Sequence, residues 1–285
     1  MKQNRALMTV VILIVFFWSA GLLGFIQTTS SHFHSMSVTV PLISNHSNNS
    51  HAPIKISSDD DFSVVAMSGD GSRLTPYIIQ GWNITTNDST GIWIYNTTMN
   101  FVIQDCWLES NHSSYGIWLE NVTSGTAALV NNTCRNNVIG IYLSNTEDSL
   151  AINNTCYRNK YGIFFNNSRN SIIMNNTCYS NSNGIYLDKS GNSTVKKNSC
   201  LNNSVGVIIQ GSESSTIQGN LCSNNSLGIS IENSGNASVF NNVCSNNTVR
   251  SGIYLNESEN SNMADNICTN NTDYGIIISC SQFST

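Results

Sequence analysis

Charge is scarce in this chain. Of 285 residues, 12 are Lys or Arg and 17 are Asp or Glu, for a formal net charge of −5. A nucleic-acid partner needs a basic surface to neutralise phosphates, and this composition supplies none. Proline is almost missing, with three residues, while Asn, Ser and Thr abound. That mixture resembles low-complexity disorder, but Ile, Leu, Val and Tyr recur at fixed intervals, which disordered tracts do not do. No D-x-D or D-D pair lies on a coil of the repeating part of the chain. Hydrolysis of a glycosidic bond needs two carboxyls about 5–10 Å apart, and a calcium-dependent lyase needs clustered oxygens. The only acidic run, Asp59, Asp60 and Asp61, precedes the repeats and reads as a cap. No helical periodicity exists beyond the N-terminus, because apolar runs are short, alternate with polar residues, and are broken by Asn, Gly and Ser.

Residues 6–26 form the one long apolar run, ALMTVVILIVFFWSAGLLGFI, preceded by Lys2 and Arg5. A basic start followed by an apolar stretch is an export signal. Its length suits a bilayer of about 30 Å, so it reads as a membrane anchor, with cleavage near Thr28 or Ser30 as the alternative. The positive flank places the bulk of the chain outside. Many N-x-[ST] acceptors point the same way, among them Asn45, Asn83, Asn96, Asn121, Asn153, Asn175, Asn202, Asn246 and Asn256. An Asn/Ser/Thr-rich chain also makes such triplets by composition alone. Residues 27–58 read as a polar, flexible linker, 59–90 as an N-terminal cap segment, and 91–285 as repeats.

The repeat is marked by cysteine. Cys134, Cys156, Cys178, Cys200, Cys222 and Cys244 are each 22 apart, and Cys268 follows after 24. Gly140, Gly162, Gly184, Gly206 and Gly228 keep the same step, with Gly91, Gly116, Gly252 and Gly275 as looser copies. Each unit holds three short strands. In residues 171–190 these are SIIM, TCYS and GIYL, with NN, NSN and DKS between them. Alternation turns Ile185 and Leu187 inward and Tyr186 and Asp188 outward. The expected fold is all-β: a right-handed single-stranded parallel β-helix of about nine coils. A leucine-rich repeat has a similar period but needs an L-x-x-L-x-L core, which is missing. Two asparagine columns fit the stacking, one from Asn132 to Asn266 two residues before each Cys, the other from Asn137 to Asn271 three after it. Stacked amides bond along a column, and Asn tolerates left-handed corners.

The coils resemble the NosD-like and wider carbohydrate-binding and sugar-hydrolase β-helix repeats, especially those of archaeal surface proteins. The segment Gly69–Ile84, GDGSRLTPYIIQGWNI, resembles the stretch such proteins place before their first coil. The resemblance covers roughly residues 59–285. It implies the scaffold strongly and an activity weakly; for NosD-like members it implies a link to copper-centre assembly.

The cysteines admit three readings: a column of small buried apolar groups, some disulfides, or a thiolate metal site. No His accompanies the column, since His32, His34, His46, His51 and His112 lie mostly in the linker. Cys106 is a loose member and Cys280 stands outside. We therefore expect no metal, no cofactor and no catalytic residue. The outward positions of the third strand carry one column of Trp93, Trp118, Tyr142, Phe164 and Tyr186. Beside it runs another containing Glu120, Asp188 and Glu232. Such a stripe suits a sugar chain, with rings stacking on sugar faces and carboxylates taking hydroxyls. The same stripe also stabilises neighbouring strands without any ligand.

The expected function is a cell-surface or secreted, non-catalytic β-helix that is structural, adhesive or glycan-binding. A polysaccharide lyase or glycoside hydrolase of the same fold is the rival, since fold does not determine activity. A NosD-like accessory to copper-centre assembly is the third reading. Expected partners are a polysaccharide or surface glycan, the membrane through the N-terminal segment, and a second chain stacked end to end at the C-terminal coil. The last expectation rests on the lack of an amphipathic cap after the final GIII strand; folding of SQFST over the end and an incomplete sequence are its alternatives.

Overall fold

The computed structural model describes residues 49–281. The apolar stretch 6–26, the sequon at Asn45 and residues His32, His34 and His46 lie outside the described residues. No helix within the described residues is long and apolar enough to cross a membrane.

The chain winds into a parallel β-solenoid of about nine turns. Its three sheets hold ten, nine and nine strands. Sheet I runs from Ile54–Ile56 to Ile276–Ser279, sheet II from Tyr77–Gln80 to Asn262–Ala264, and sheet III from Asn83–Thr85 to Ile267–Thr269. One coil contributes Ile172–Met174, Thr177–Tyr179 and Asn183–Asp188, one strand to each sheet. Pairing steps by one repeat, so Cys156 faces Cys178 and Ile163 faces Ile185. A register fixed this way keeps every apolar side chain on the inner face. Ile185, Leu187, Ile173, Val195 and the cysteines from Cys134 to Cys244 are all fully buried. All nine cysteines are free, so the column is a stack of small buried groups and the disulfide reading falls away.

Both asparagine columns form buried ladders. The Asn176 N–H donates to Asn198 Oδ1 at 2.9 Å, and its Nδ2 donates to Asn198 Oδ1 at 3.0 Å and to the Ala151 carbonyl at 2.8 Å. The second column repeats this, with the Asn181 N–H at 2.9 Å from Asn203 Oδ1 and Nδ2 at 3.0 Å from the Cys156 carbonyl. The left-handed corner is not at the ladder residue, as the sequence suggested, but one position earlier. Asn153 (φ 57°), Asn175 (56°) and Asn202 (55°) turn the chain, while Asn154, Asn176 and Asn203 point inward. The turning residue faces solvent, so Arg158, Ser180 and Lys197 can also hold it.

The third corner holds a ladder of hydroxyls. Backbone N–H groups of Ser168, Ser190 and Ser212 each donate to the Oγ of the serine one coil on, at 2.9 Å. The glycine column has a packing cause. A Cβ on Gly184 would lie 2.4 Å from the Gly206 carbonyl oxygen, closer than any side chain can sit.

The first coils differ from the sequence reading. Ile54–Ile56, inside the stretch read as linker, is a buried strand paired with Ile92–Ile94. The segment 59–90, read as a cap, contains two regular strands, Tyr77–Gln80 and Asn83–Thr85. Between Ile56 and Tyr77 lies a true plug: a 3-10 turn over Asp59–Asp61 and a short helix over Phe62–Val65. Phe62 is fully buried, stacked on Tyr77 at 4.9 Å and packed on Phe101 at 5.4 Å. Asp61 accepts the Ser57 and Ser58 N–H groups at 2.8 and 2.9 Å, and Asp59 accepts the Thr97 hydroxyl at 2.6 Å. These bonds hold both carboxyls below their ordinary range, led by Thr97 for Asp59 and by the Ser57 N–H for Asp61. Cys106 is not a member of the cysteine column. Leu108 faces Cys134 there, and Cys106 takes the asparagine-ladder position, its N–H bonded to Asn132 Oδ1 at 3.1 Å.

Candidate functional site

The outward residues of sheet I stack because a parallel register places equivalent positions one strand spacing, about 4.8 Å, apart. Trp93 and Trp118 lie face to face, with centroids 4.7 Å apart and planes at 8°. Trp118 reaches Tyr142 at 6.1 Å, Tyr142 reaches Phe164 at 5.2 Å, and Phe164 stacks on Tyr186 at 4.7 Å. All five rings are half-buried. The run is therefore unbroken over five coils. Two further rings belong to the same face: Tyr115, 5.1 Å from Trp118, and Tyr161, 5.3 Å from Phe164. They occupy the position before each repeat glycine, where Ile139 pairs with both in register. That column was visible in the sequence once the residue before the glycine is read as outward.

The carboxylates take their expected places. Glu120 follows Trp118 in the strand Tyr115–Glu120, and Asp188 closes Asn183–Asp188. Gln210 pairs in register with Asp188 and Glu232 with Gln210, so the two acids are about 10 Å apart. The Tyr186 hydroxyl donates to Gln210 Oε1, and Ser230 Oγ donates to Glu232 Oε1 at 2.7 Å. Burial pushes the Tyr186 phenol up to about 12, helped by the charges of Asp188 and Glu232. It stays a donor at neutral pH. Lys55 stands over Trp93 at 4.9 Å and over Tyr95 at 5.6 Å. The indole N–H groups of Trp93 and Trp118 are covered and have no acceptor among the described residues.

A second aromatic surface lies on sheet III and was not foreseen. Arg135 pairs with Glu109 at 2.7 Å and stands over the Trp107 ring at 4.7 Å. Tyr157 and Tyr179 stack beside it at 4.8 Å.

The groove on this surface does not follow the aromatic stripe. A shallow trough of about 790 Å³ runs along the corner between sheets III and I, lined by polar and cationic residues from His112 to Thr248. Of the sequons, Asn96, Asn121, Asn153, Asn175, Asn202 and Asn246 are exposed, while Asn83 and Asn256 are half-buried.

The architecture is that of a parallel β-solenoid carrying an aromatic outer face. The family model for NosD, described as "Periplasmic copper-binding protein", matches residues 119–251 and 221–285, more than half of the chain. The chain belongs to the NosD family. No curated protein matches it. Among solved structures it is similar to the A-module of the mannuronan C-5 epimerase AlgE4 of Azotobacter vinelandii, with a TM-score of 0.66, 18% identity, and coverage of 73% of this chain and 64% of that one. It is similar to the periplasmic alginate epimerase AlgG, with a TM-score of 0.55, 18% identity, and coverage of 72% and 59%. A third likeness is to XylC in complex with xylose, with a TM-score of 0.52, 15% identity, and coverage of 60% and 36%. The chain thus spans less than two thirds of each of these neighbours, and at such identities the likeness is one of fold.

The described residues do not fit a copper site. Among them, no group of three or more His, Cys, Asp or Glu side chains is placed to hold a metal ion. Copper takes thiolate, imidazole or thioether ligands, and the thiols from Cys134 to Cys244 are enclosed in the core. Desolvation raises the Cys156 thiol well above its ordinary value, and hydrogen bonding along the column, led by the preceding cysteine, does the same for Cys178, Cys200, Cys222 and Cys244. No step through copper is derived from these residues.

Proposed function

We propose that this protein is an extracytoplasmic β-helix that binds a polysaccharide along the outer face of sheet I without cleaving it. The observation that carries this reading is the stripe of half-buried rings from Trp93 through Trp118, Tyr142 and Phe164 to Tyr186. Rings spaced about one strand apart offer successive sugar faces a surface for stacking. Glu120, Asp188 and Glu232 edge the stripe and supply acceptors for hydroxyls, while the Tyr186 phenol, whose proton is committed to Gln210 Oε1, supplies a further acceptor. Sheet stabilisation accounts for ring pairs, but it does not require the rings to stay half exposed over five coils. The periplasmic description of the family and of AlgG supports a place outside the cytoplasm, as does the basic-apolar start of the chain.

The test is a glycan array followed by titration calorimetry. Trp118→Ala and Tyr186→Ala should each weaken the hit at least tenfold, about 1.4 kcal/mol or more, with the β-sheet circular dichroism signal kept although the lost ring stacking lowers the melting temperature. Unaltered binding in both variants would make the stripe a purely structural stack. The activities of the structural neighbours favour a second reading, an enzyme acting on polysaccharide, with Asp188 and Glu232 as its acids at an inverting distance. An assay for chain cleavage or altered sugar product decides it. Product formation that is lost in Asp188→Asn would replace the non-catalytic reading.

A further inference from the structure

We propose that the corner trough is a second binding site, separate from the aromatic face, and that it takes an acidic oligosaccharide. The trough is built by loop length. Five consecutive corners between sheets III and I have five residues between the inward residue of the cysteine column and the repeat glycine: 135–139, 157–161, 179–183, 201–205 and 223–227. The corners on either side are longer. Residues 109–115 and 245–251 each place seven residues in the same interval. The short corners make a recess, and the long ones stand at its two ends, contributing His112 at one and Thr248 at the other.

The floor is inert, because Asn159, Asn181 and Asn203 bond along their own ladder. The rims are not. The hydroxyls of Ser182, Ser204 and Ser226 and the amides of Asn202 and Asn224 line the recess, and the described structure gives these groups no hydrogen-bond partner. They recur once per coil at about 4.8 Å, a step close to that of successive rings in an extended sugar chain. No carboxylate lines the recess. Arg158 and Lys160 provide its positive charge, both in one coil, and neither has a carboxylate partner; Lys160 stands 5.5 Å over the Tyr161 ring. The chemistry is therefore graded along the axis, with cations at one end and neutral donors and acceptors along the rest. A neutral chain leaves the cations unused. A bare polyanion leaves the hydroxyls and amides unused. A chain of sugars bearing carboxylate or sulfate groups uses both.

The experiment titrates the full chain with an oligouronate, a sulfated oligosaccharide, a neutral oligosaccharide of matched length, and polyphosphate. The double variant Arg158→Asn with Lys160→Ser converts that coil to the residues its neighbours already carry at those positions, so the fold is kept. Binding of the uronate or the sulfated chain, at least tenfold weaker in the double variant and unchanged in Trp118→Ala, is the expected result; which of the two binds more tightly names the acid group. Asn224→Asp, which sets a negative charge in the last short corner, at the end away from the cations, should weaken the same ligand. Three results would overturn the proposal: no acidic chain binds, polyphosphate binds as well as the sugars, or Trp118→Ala removes acidic and neutral binding together. The last would leave the aromatic face as the sole site, while failure of the aromatic face alone leaves the trough untouched.

Discussion

Raising the pH through the thiol range should unfold this solenoid steeply, and the slope counts the cysteines in its core. Cys156, Cys178, Cys200, Cys222 and Cys244 are fully buried, and all five are raised well above the ordinary thiol value of 9.0. The folded state holds these thiols neutral, whereas the unfolded chain releases their protons above that value. The native state then binds more protons than the unfolded one, so stability falls as pH rises. The stabilisation is complete below the unfolded value and is lost progressively above it. Each thiol costs about 0.4 kcal/mol at the unfolded pKa and about 1.4 kcal/mol one unit higher. Five together cost about 2 and then about 7 kcal/mol, against a typical domain stability of about 5–15 kcal/mol. Denaturant melts followed by circular dichroism from about pH 7 to about pH 10, with a non-thiol reductant present, measure the slope. Tyrosines such as Tyr186 add loss of the same sign, so the comparison is with Cys200→Ala. Its overall stability drops because a cavity forms, but its slope above the thiol value should be shallower by about 1.4 kcal/mol per unit. A stability that stays flat to about pH 10, or equal slopes in the two proteins, would refute the closed thiol column. A thiol reagent gives an independent check, because Cys280 is exposed and should react at once while the buried thiols from Cys134 to Cys244 stay silent.

Gly184→Ala should be among the most damaging small substitutions, costing about 3 kcal/mol or more, because its Cβ meets backbone rather than a movable side chain; a denaturant melt reads it. Asn176→Ala strips a donor from the Ala151 carbonyl and an acceptor from the Asn154 N–H and side-chain amide, while Asn198 Oδ1 keeps the backbone N–H of residue 176. At about 1–3 kcal/mol for each buried group left unpaired, a loss of about 3 kcal/mol or more is expected, with faster amide exchange confined to the adjoining coils. Phe62→Ala should cost about 3–5 kcal/mol and raise binding of a hydrophobic dye, since the ring plugs the first coil. Arg135→Lys keeps the charge but gives up the planar stack on Trp107 and the fork toward Glu109. It should lower the melting temperature by only a few degrees, a small effect because the pair is partly exposed.

The scaffold was readable because its core residues repeat in one step. Cys, Gly and the second Asn of each pair recur at 22, and each proves to be held by contact with its own copy in the next coil. Reading failed where the step broke or where a polar residue did an inward job. Four extra residues between Leu108 and Cys134, two of them in the corner 109–115, break the step there, so Cys106 looked like a column member while Leu108 held that place. Ile54–Ile56 has no repeat glycine before it and passed for linker. The serines at 168, 190, 212 and 234 keep perfect time, yet a buried hydroxyl ladder looks like an ordinary polar loop in a Ser-rich chain. The aromatic stripe followed from strand alternation alone. The trough did not, because it is a difference in corner length among residues that are individually unremarkable.

That difference in length makes the recess a ruler. Its extent is set by how many consecutive coils keep the short corner, and such coils are interchangeable modules of 22 residues. Duplicating one between Cys178 and Cys222 would lengthen the recess by a single strand spacing, about 4.8 Å, without touching either end wall. Deleting one would shorten it by the same amount. Preferred ligand length would then change in whole sugar units as the gene gains or loses coils, a digital form of specificity that no substitution within a coil can reproduce.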